Sequence, residues 1–144
     1  MQEWPTVLWF SATLLSLAIA LPVFGRMIGG QQVVRRASIA GLGVGLSSVA
    51  NIFEDGFRID GFFFAFIMGA LVMDVSLLAL TIVIARTFSG RDRLLAIIPA
   101  GTVAGIFLFV AAGGPIMLIT WLGAAAAAVL MAGRSPTPTA PATP

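Results

Sequence analysis

The chain has 144 residues, 59% of them hydrophobic and only 10% charged, with a formal net charge of +2 and a mean hydropathy of +1.05. A soluble domain carries about 25% charged residues, and a core of this length cannot hide so much apolar surface from water, so the composition excludes an ordinary soluble globular protein. Cys, His, Tyr and Lys are absent, which removes disulfides, thiolate nucleophiles and the usual zinc and haem ligands, so no cofactor and no metal is expected.

The chemistry left is that of carboxylates, hydroxyls, amides and guanidinium groups. All eight basic residues are Arg. The sequence pI of about 11.2 follows from that and from the missing Tyr and Lys, and with so small a net charge it is no sign of nucleic-acid binding. Continuous apolar runs, rather than alternating ones, point away from a β-barrel and toward an all-α, polytopic membrane protein.

In chain order, the first apolar run covers residues 7–24. No basic residue precedes it, so it reads as a retained span and not as a cleaved signal. Trp4 and Trp9 lie at its start, where amphipathic rings favour the membrane interface. Pro22 falls in its last turn. Residues 25–36 read as a polar connector holding Arg26, Arg35 and Arg36. The second span, 37–53, is near the short limit for crossing a bilayer. Its Gly41 and Gly45 share a face and allow close helix approach. The GLGVG string lacks the strand before it and the acid after it that a nucleotide-binding loop requires.

A polar cluster follows, with Asn51, Glu54, Asp55, Arg58 and Asp60. If the second helix continues through it, Ser47, Asn51 and Asp55 fall on one stripe. The third span, 61–85, is 25 residues long, about 37 Å as a helix. A short basic loop holds Arg86, Arg91 and Arg93. The fourth span, 94–112, contains Pro99, Gly101 and Gly105, and the fifth, 115–132, contains Trp121 in its outer half. Residues 1–134 are thus expected to form a bundle of five transmembrane helices. Residues 135–144 are expected to form a flexible, Pro/Thr-rich cytoplasmic tail.

Five spans put seven of the eight Arg on one side, with Arg58 alone on the other. Cytoplasmic loops carry the excess of basic residues, so the expected topology is N-out, C-in, in a bacterial-type plasma (inner) membrane. A four-span arrangement that fuses the last two runs fits the charge pattern less well.

Asp74 lies in the middle of the third span, and an ionisable group at that depth is a functional-site hypothesis by default. Counting from the span ends places it level with Ser16, with about Gly41 and with Thr102 to Gly105, and Ser16 and Thr102 are its expected hydrogen-bond partners. Thr81 lies two turns along the same stripe. No span holds a cation for it, so the neutral carboxylic acid is its expected form. It reads as a proton- or cation-coupling group, as the partner of a basic residue on another subunit, or as a neutral acid in one interhelical hydrogen bond. Asn51, Glu54, Asp55 and Asp60 are hard oxygen donors of the kind that hold Ca²⁺ or Mg²⁺, but lack the spacing of an EF-hand loop; they read as an external acidic mouth able to concentrate cations, or else as a solvated turn with an Arg58 ion pair. The many Phe around this turn suit lipid packing or an apolar ligand pocket.

Three functions follow: proton- or cation-linked transport through Asp74, a non-catalytic subunit or assembly factor of a larger membrane complex, or a lipid enzyme with Glu54 or Asp55 as base. The last lacks any nucleophile motif, so no enzyme is expected. The expected partners are membrane lipids and either further copies of the chain or the other subunits of a complex.

Overall fold

The computed structural model describes residues 4–107, 121–123 and 126. Every element among these residues is helical. Helix α1 spans Trp4–Ile28 and α2 spans Gln31–Asn51, continuing as a π-helical turn over Ile52–Gly56. Helix α3 spans Phe62–Thr87, and a 3₁₀ segment, Gly90–Ala96, leads into α4, Ile97–Phe107. Three helices are long and apolar enough to cross a membrane: Trp4–Ile28, Gln31–Gly56 and Phe62–Thr87.

The first two helices extend into the segment expected to be a polar connector. Only Gly29 and Gly30 separate them, with φ of 81° and 86°, values at which a side chain would be strained. Arg and Gln are good helix formers, and Arg35 is exposed at the helix surface, so polarity alone does not end α2 here. Pro22 stands six residues before the end of α1 rather than in its last turn.

Helix α2 is the middle layer. It packs against α1 on one side and α3 on the other, while α1 and α3 meet only marginally. Half of its apolar window is buried, against 22% for α1 and 33% for α3. This position explains its run of small residues. A Cβ on Gly41 would lie 2.7 Å from the Ala18 carbonyl oxygen and 2.9 Å from the Pro22 ring, so Gly41 fits the notch that the proline leaves in α1. Two residues on, the opposite face meets α3: a Cβ on Gly43 would lie 2.6 Å from the Gly69 carbonyl oxygen and 2.7 Å from the Met73 amide nitrogen. Gly45, expected to share the close approach, has only the Ala18 methyl 3.8 Å away.

The core runs along these contacts, with Leu21, Val33, Ala37, Ala40, Val44, Leu77, Leu80 and Ile84 all within 1% of full burial. Large apolar side chains face outward all round, among them Trp9, Leu42, Phe64 and Val75. An apolar belt of this kind suits lipid rather than water. Pro99, expected inside a span, lies in the first turn of α4, just after the 3₁₀ segment, a position where proline is tolerated.

The two ends of the layer differ in charge. At one end, Trp4 packs edge-on to Phe57 at 5.4 Å, bringing the start of α1 against the α2–α3 turn that carries Glu54, Asp55, Arg58 and Asp60. At the other end lie Arg26, Arg35, Arg36, Arg86, Arg91 and Arg93, with Asp92. The segregation expected of these residues is present. Trp121 departs from expectation: its ring lies 6.2 Å from Phe24, within about one turn of the arginine end, packed against the core cluster instead of in the half nearer Trp4. There its ring packs edge-on against Phe24, an arrangement aromatic pairs favour. The remainder of the fifth span, Arg134 and the tail lie outside the described residues.

Candidate functional site

Two sets of polar residues stand out, one at the Trp4 end and one in the middle of α3. At the Trp4 end the last turn of α2 widens into a π helix. Such turns re-aim side chains and recur at functional sites. After it, Arg58 takes φ 55° and Gly61 takes φ 103°, which reverses the chain tightly into α3. Arg58 is exposed, and no ion pair joins it to another described residue, so the expected surface salt bridge is not formed.

The widened turn aims Glu54 at the start of α3, where its carboxylate accepts a hydrogen bond from the Phe63 amide at 2.6 Å. The first amides of a helix lack partners within it, and the positive end of the helix dipole favours a carboxylate. Glu54 thus caps α3 from nine residues upstream. Glu54→Ala is expected to lower stability by about 1–2 kcal/mol, and Glu54→Gln, which keeps the acceptor, by less. Thermal unfolding in detergent would measure both.

Beneath this turn lies a buried polar network. Ser48 donates to the Ser11 carbonyl oxygen at 2.8 Å, and the Asn51 side-chain amide donates to the Ser11 hydroxyl at 2.9 Å. Ser47 faces the other way and donates to the Phe66 carbonyl oxygen at 3.0 Å. Asn51 therefore shares its face with Ser48 toward α1, and the expected Ser47–Asn51–Asp55 stripe is divided between two helix contacts. Ser11 went unremarked in the sequence because its role depends on helix register, which no local motif reports.

A cavity of about 180 Å³ opens beside the network, lined by Asn51, Glu54, Asp55, Phe63 and Phe66. Three of the four residues of the expected acidic mouth are brought together here. Asp60 is not: it is exposed and lies outside the lining. Among the described residues no three acids are grouped closely enough to hold a metal ion.

Asp74 lies at the middle of α3, half-buried at the edge of the stripe formed by Gly69, Met73, Leu77, Leu80 and Ile84. One of its carboxyl oxygens, Oδ1, is buried and has no hydrogen-bond partner among the described residues. The two expected hydroxyl partners donate elsewhere, Ser16 to Ala12 and Thr102 to Ile98, each to a carbonyl oxygen one turn back in its own helix, and Thr81, on the Asp74 stripe, donates likewise to Leu77.

Ser16 is also at the wrong depth and on the wrong helix. Contacts of Gly25 with Ala37, and of Ser11 with Ser48 and Asn51, fix the α1–α2 register. Contacts of Gly43 with Gly69 and Met73 fix that of α2 and α3. Together they place Asp74 level with Ala40 and Gly41, as the sequence suggested for the latter, and therefore level with Leu21. Ser16 lies about 7 Å nearer the Trp4 end, exposed, on a helix that α2 separates from α3. Counting from span ends failed because the helices are offset along the axis: the same register sets the start of α3 about five residues inward of the start of α1.

Phe63, Ala70, Asp74 and Thr81 follow one another at i, i+7, i+11 and i+18, within about 40° of arc. The stripe that carries Asp74 thus begins at a wall of the cavity, about 16 Å away along the axis. No protein-family model, curated protein or solved structure matches this chain.

Proposed function

We propose that this chain is a small integral membrane protein, N-out in a bacterial-type plasma membrane, that supports proton- or cation-linked transport through Asp74. The observation that carries this reading is a mid-helix carboxyl group with a buried oxygen left unpartnered among the described residues. A polar atom held this way in an apolar surround is costly, and intramembrane acids often mark ion pathways. The acid-walled cavity heads the same stripe, where it would raise the local concentration of cations. Asp60, exposed beside it, would add to that field.

Few helices enclose a path poorly, so copies of the chain would combine to form one. Chemical cross-linking in lipid is expected to give a homo-oligomer. The functional test is proton- or ion-dependent flux in proteoliposomes. Wild-type vesicles are expected to support it and Asp74→Asn vesicles to fall to the level of empty ones; undiminished flux in the variant would sink the reading.

A second reading, a non-catalytic subunit or assembly factor, has one observation in its favour. Asp74 is only half-buried, and Ala70, Thr81 and Ala85 on the same side of α3 are small and partly exposed, so a partner helix bearing a basic residue could approach closely there. Native mass spectrometry of the complex purified from its host separates the two readings, because only the second requires a stoichiometric partner that Asp74→Asn releases.

A further inference from the structure

The arginine end carries far more positive charge than the chain itself neutralises. Of the five described acids, Asp92 alone lies there, against six described arginines. Asp92 is already engaged in a contact, and no ion pair or hydrogen bond joins the guanidinium groups of Arg26, Arg35 and Arg36 to a described residue. An Arg cannot shed its charge by losing a proton, so these three need an anion from elsewhere.

Helix register brings the three together. A Cβ on Gly25 would lie 2.6 Å from the Ala37 Cβ and 3.3 Å from the Val34 Cα. Arg26, the next residue of α1, is therefore level with Arg35 and Arg36 of α2 to within about 3 Å. They also share a side. On α1, Gly25 faces α2; Phe24, about 100° away in one sense, is in the core, and Arg26, about 100° away in the other, is exposed opposite it. On α2, Arg35 is exposed on the same outer face as Leu42, two turns on, which is 74% exposed. Arg36 shares the face of Gly43, which meets α3, and so enters the α2–α3 seam. It is half-buried, and its Nε is buried with no hydrogen-bond partner among the described residues.

Depth decides what the anion is. Ala40 and Gly41 are level with Asp74 at the middle of α3, so the three α-carbons lie only about 6–10 Å from the middle of the apolar belt. The hydrocarbon half-thickness of a bilayer is roughly 15 Å. The long stems therefore run along apolar surface and deliver their charges at the level of the headgroups. A planar guanidinium matches a phosphate with two parallel hydrogen bonds, and a net positive triad favours a headgroup with no cation of its own. We infer that Arg26, Arg35 and Arg36 form a binding site for the phosphate of an anionic phospholipid, with Arg36 holding it to the α2–α3 seam. The inference rests on the membrane-spanning part of the proposed function and not on Asp74.

The test uses the full chain in phosphatidylcholine nanodiscs with a small fraction of spin-labelled phosphatidylglycerol or phosphatidylcholine. Electron paramagnetic resonance reads the share of each label that the protein immobilises. The wild type is expected to prefer phosphatidylglycerol by about tenfold or more, and Arg35→Gln and Arg36→Gln each to lose about fivefold of that preference. Arg35 is exposed, so its variant tests the site even where Arg36→Gln disturbs the fold. The double variant Arg91→Gln/Arg93→Gln removes two exposed charges from the same end and is expected to keep the preference, as is Asp74→Asn. Three outcomes would overturn the inference. The first is no preference in the wild type. The second is an equal loss in the Arg91/Arg93 double variant, which would assign the effect to net charge alone. The third is release of the immobilised lipid by inorganic phosphate at constant ionic strength, which would make the triad a site for soluble anions.

Discussion

Gly43→Ala is expected to destabilise the protein more than any other single-methyl addition in α2, while Gly45→Ala, two residues away, is expected to be tolerated. At Gly43 the new carbon would meet backbone: the Gly69 carbonyl oxygen at 2.6 Å, the Met73 amide nitrogen at 2.7 Å and the Met73 Cα at 3.2 Å. No rotamer change relieves such a contact, so α2 and α3 must part. Gly69→Ala is the reciprocal case, with the Ser47 hydroxyl at 2.5 Å and the Gly43 carbonyl oxygen at 2.6 Å. Separation would also stretch the Ser47 bond to the Phe66 carbonyl oxygen. Overpacking of this kind costs about 1–3 kcal/mol or more. At Gly45 the nearest atom is a methyl at 3.8 Å, and alanine gains up to about 1 kcal/mol of helix propensity. Thermal unfolding of the three variants in one detergent would read the contrast. Equal stabilities for Gly43→Ala and Gly45→Ala would refute the α2–α3 register on which the depth of Asp74 rests.

Asp74→Asn carries the largest expected functional effect. Asparagine has the same shape and can hydrogen-bond, but it neither binds and releases a proton nor bears a charge. The substitution therefore removes the coupling chemistry and leaves the packing beside Met73 and Leu77 in place. Flux is expected to disappear while the unfolding temperature stays close to that of the wild type, since the amide matches the carboxyl group in shape and can still hydrogen-bond. Asp74→Glu keeps the titrating group and is expected to retain part of the flux. Loss of flux together with loss of the fold would assign Asp74 to packing. Retained flux with a lost partner protein would assign it to assembly.

The sequence conveyed the helical class, the third span almost to the residue, the segregation of arginines to one end and the mid-helix position of Asp74. Each depends on composition or on one helix taken alone. What it did not convey depends on how helices face each other. The close α2–α3 approach uses Gly43 and Gly69, which lie in different spans and form no motif together. Helix ends were misplaced because apolar runs were taken as helix limits, although Arg26, Arg35 and Arg36 all lie within helices. The acidic cluster was legible, but its division into a capping Glu54, a cavity-lining Asp55 and an exposed Asp60 outside the lining follows from a π turn that the sequence does not announce.

The Gly29–Gly30 link has a consequence for biosynthesis. A two-residue connection between antiparallel helices leaves no loop in which the ribosome's insertion machinery can pause between them. Helix α2 is the least apolar of the three long helices, and it begins with two glutamines and two arginines, so on its own it partitions poorly into lipid. Tied this closely to α1, it is expected to enter as the second arm of a hairpin, with Gly41 covered by α1 at once and Gly43 only when α3 follows. A long flexible insert after Gly29 would uncouple the two arms, and glycosylation mapping of such a chain is expected to find α2 left at the membrane surface.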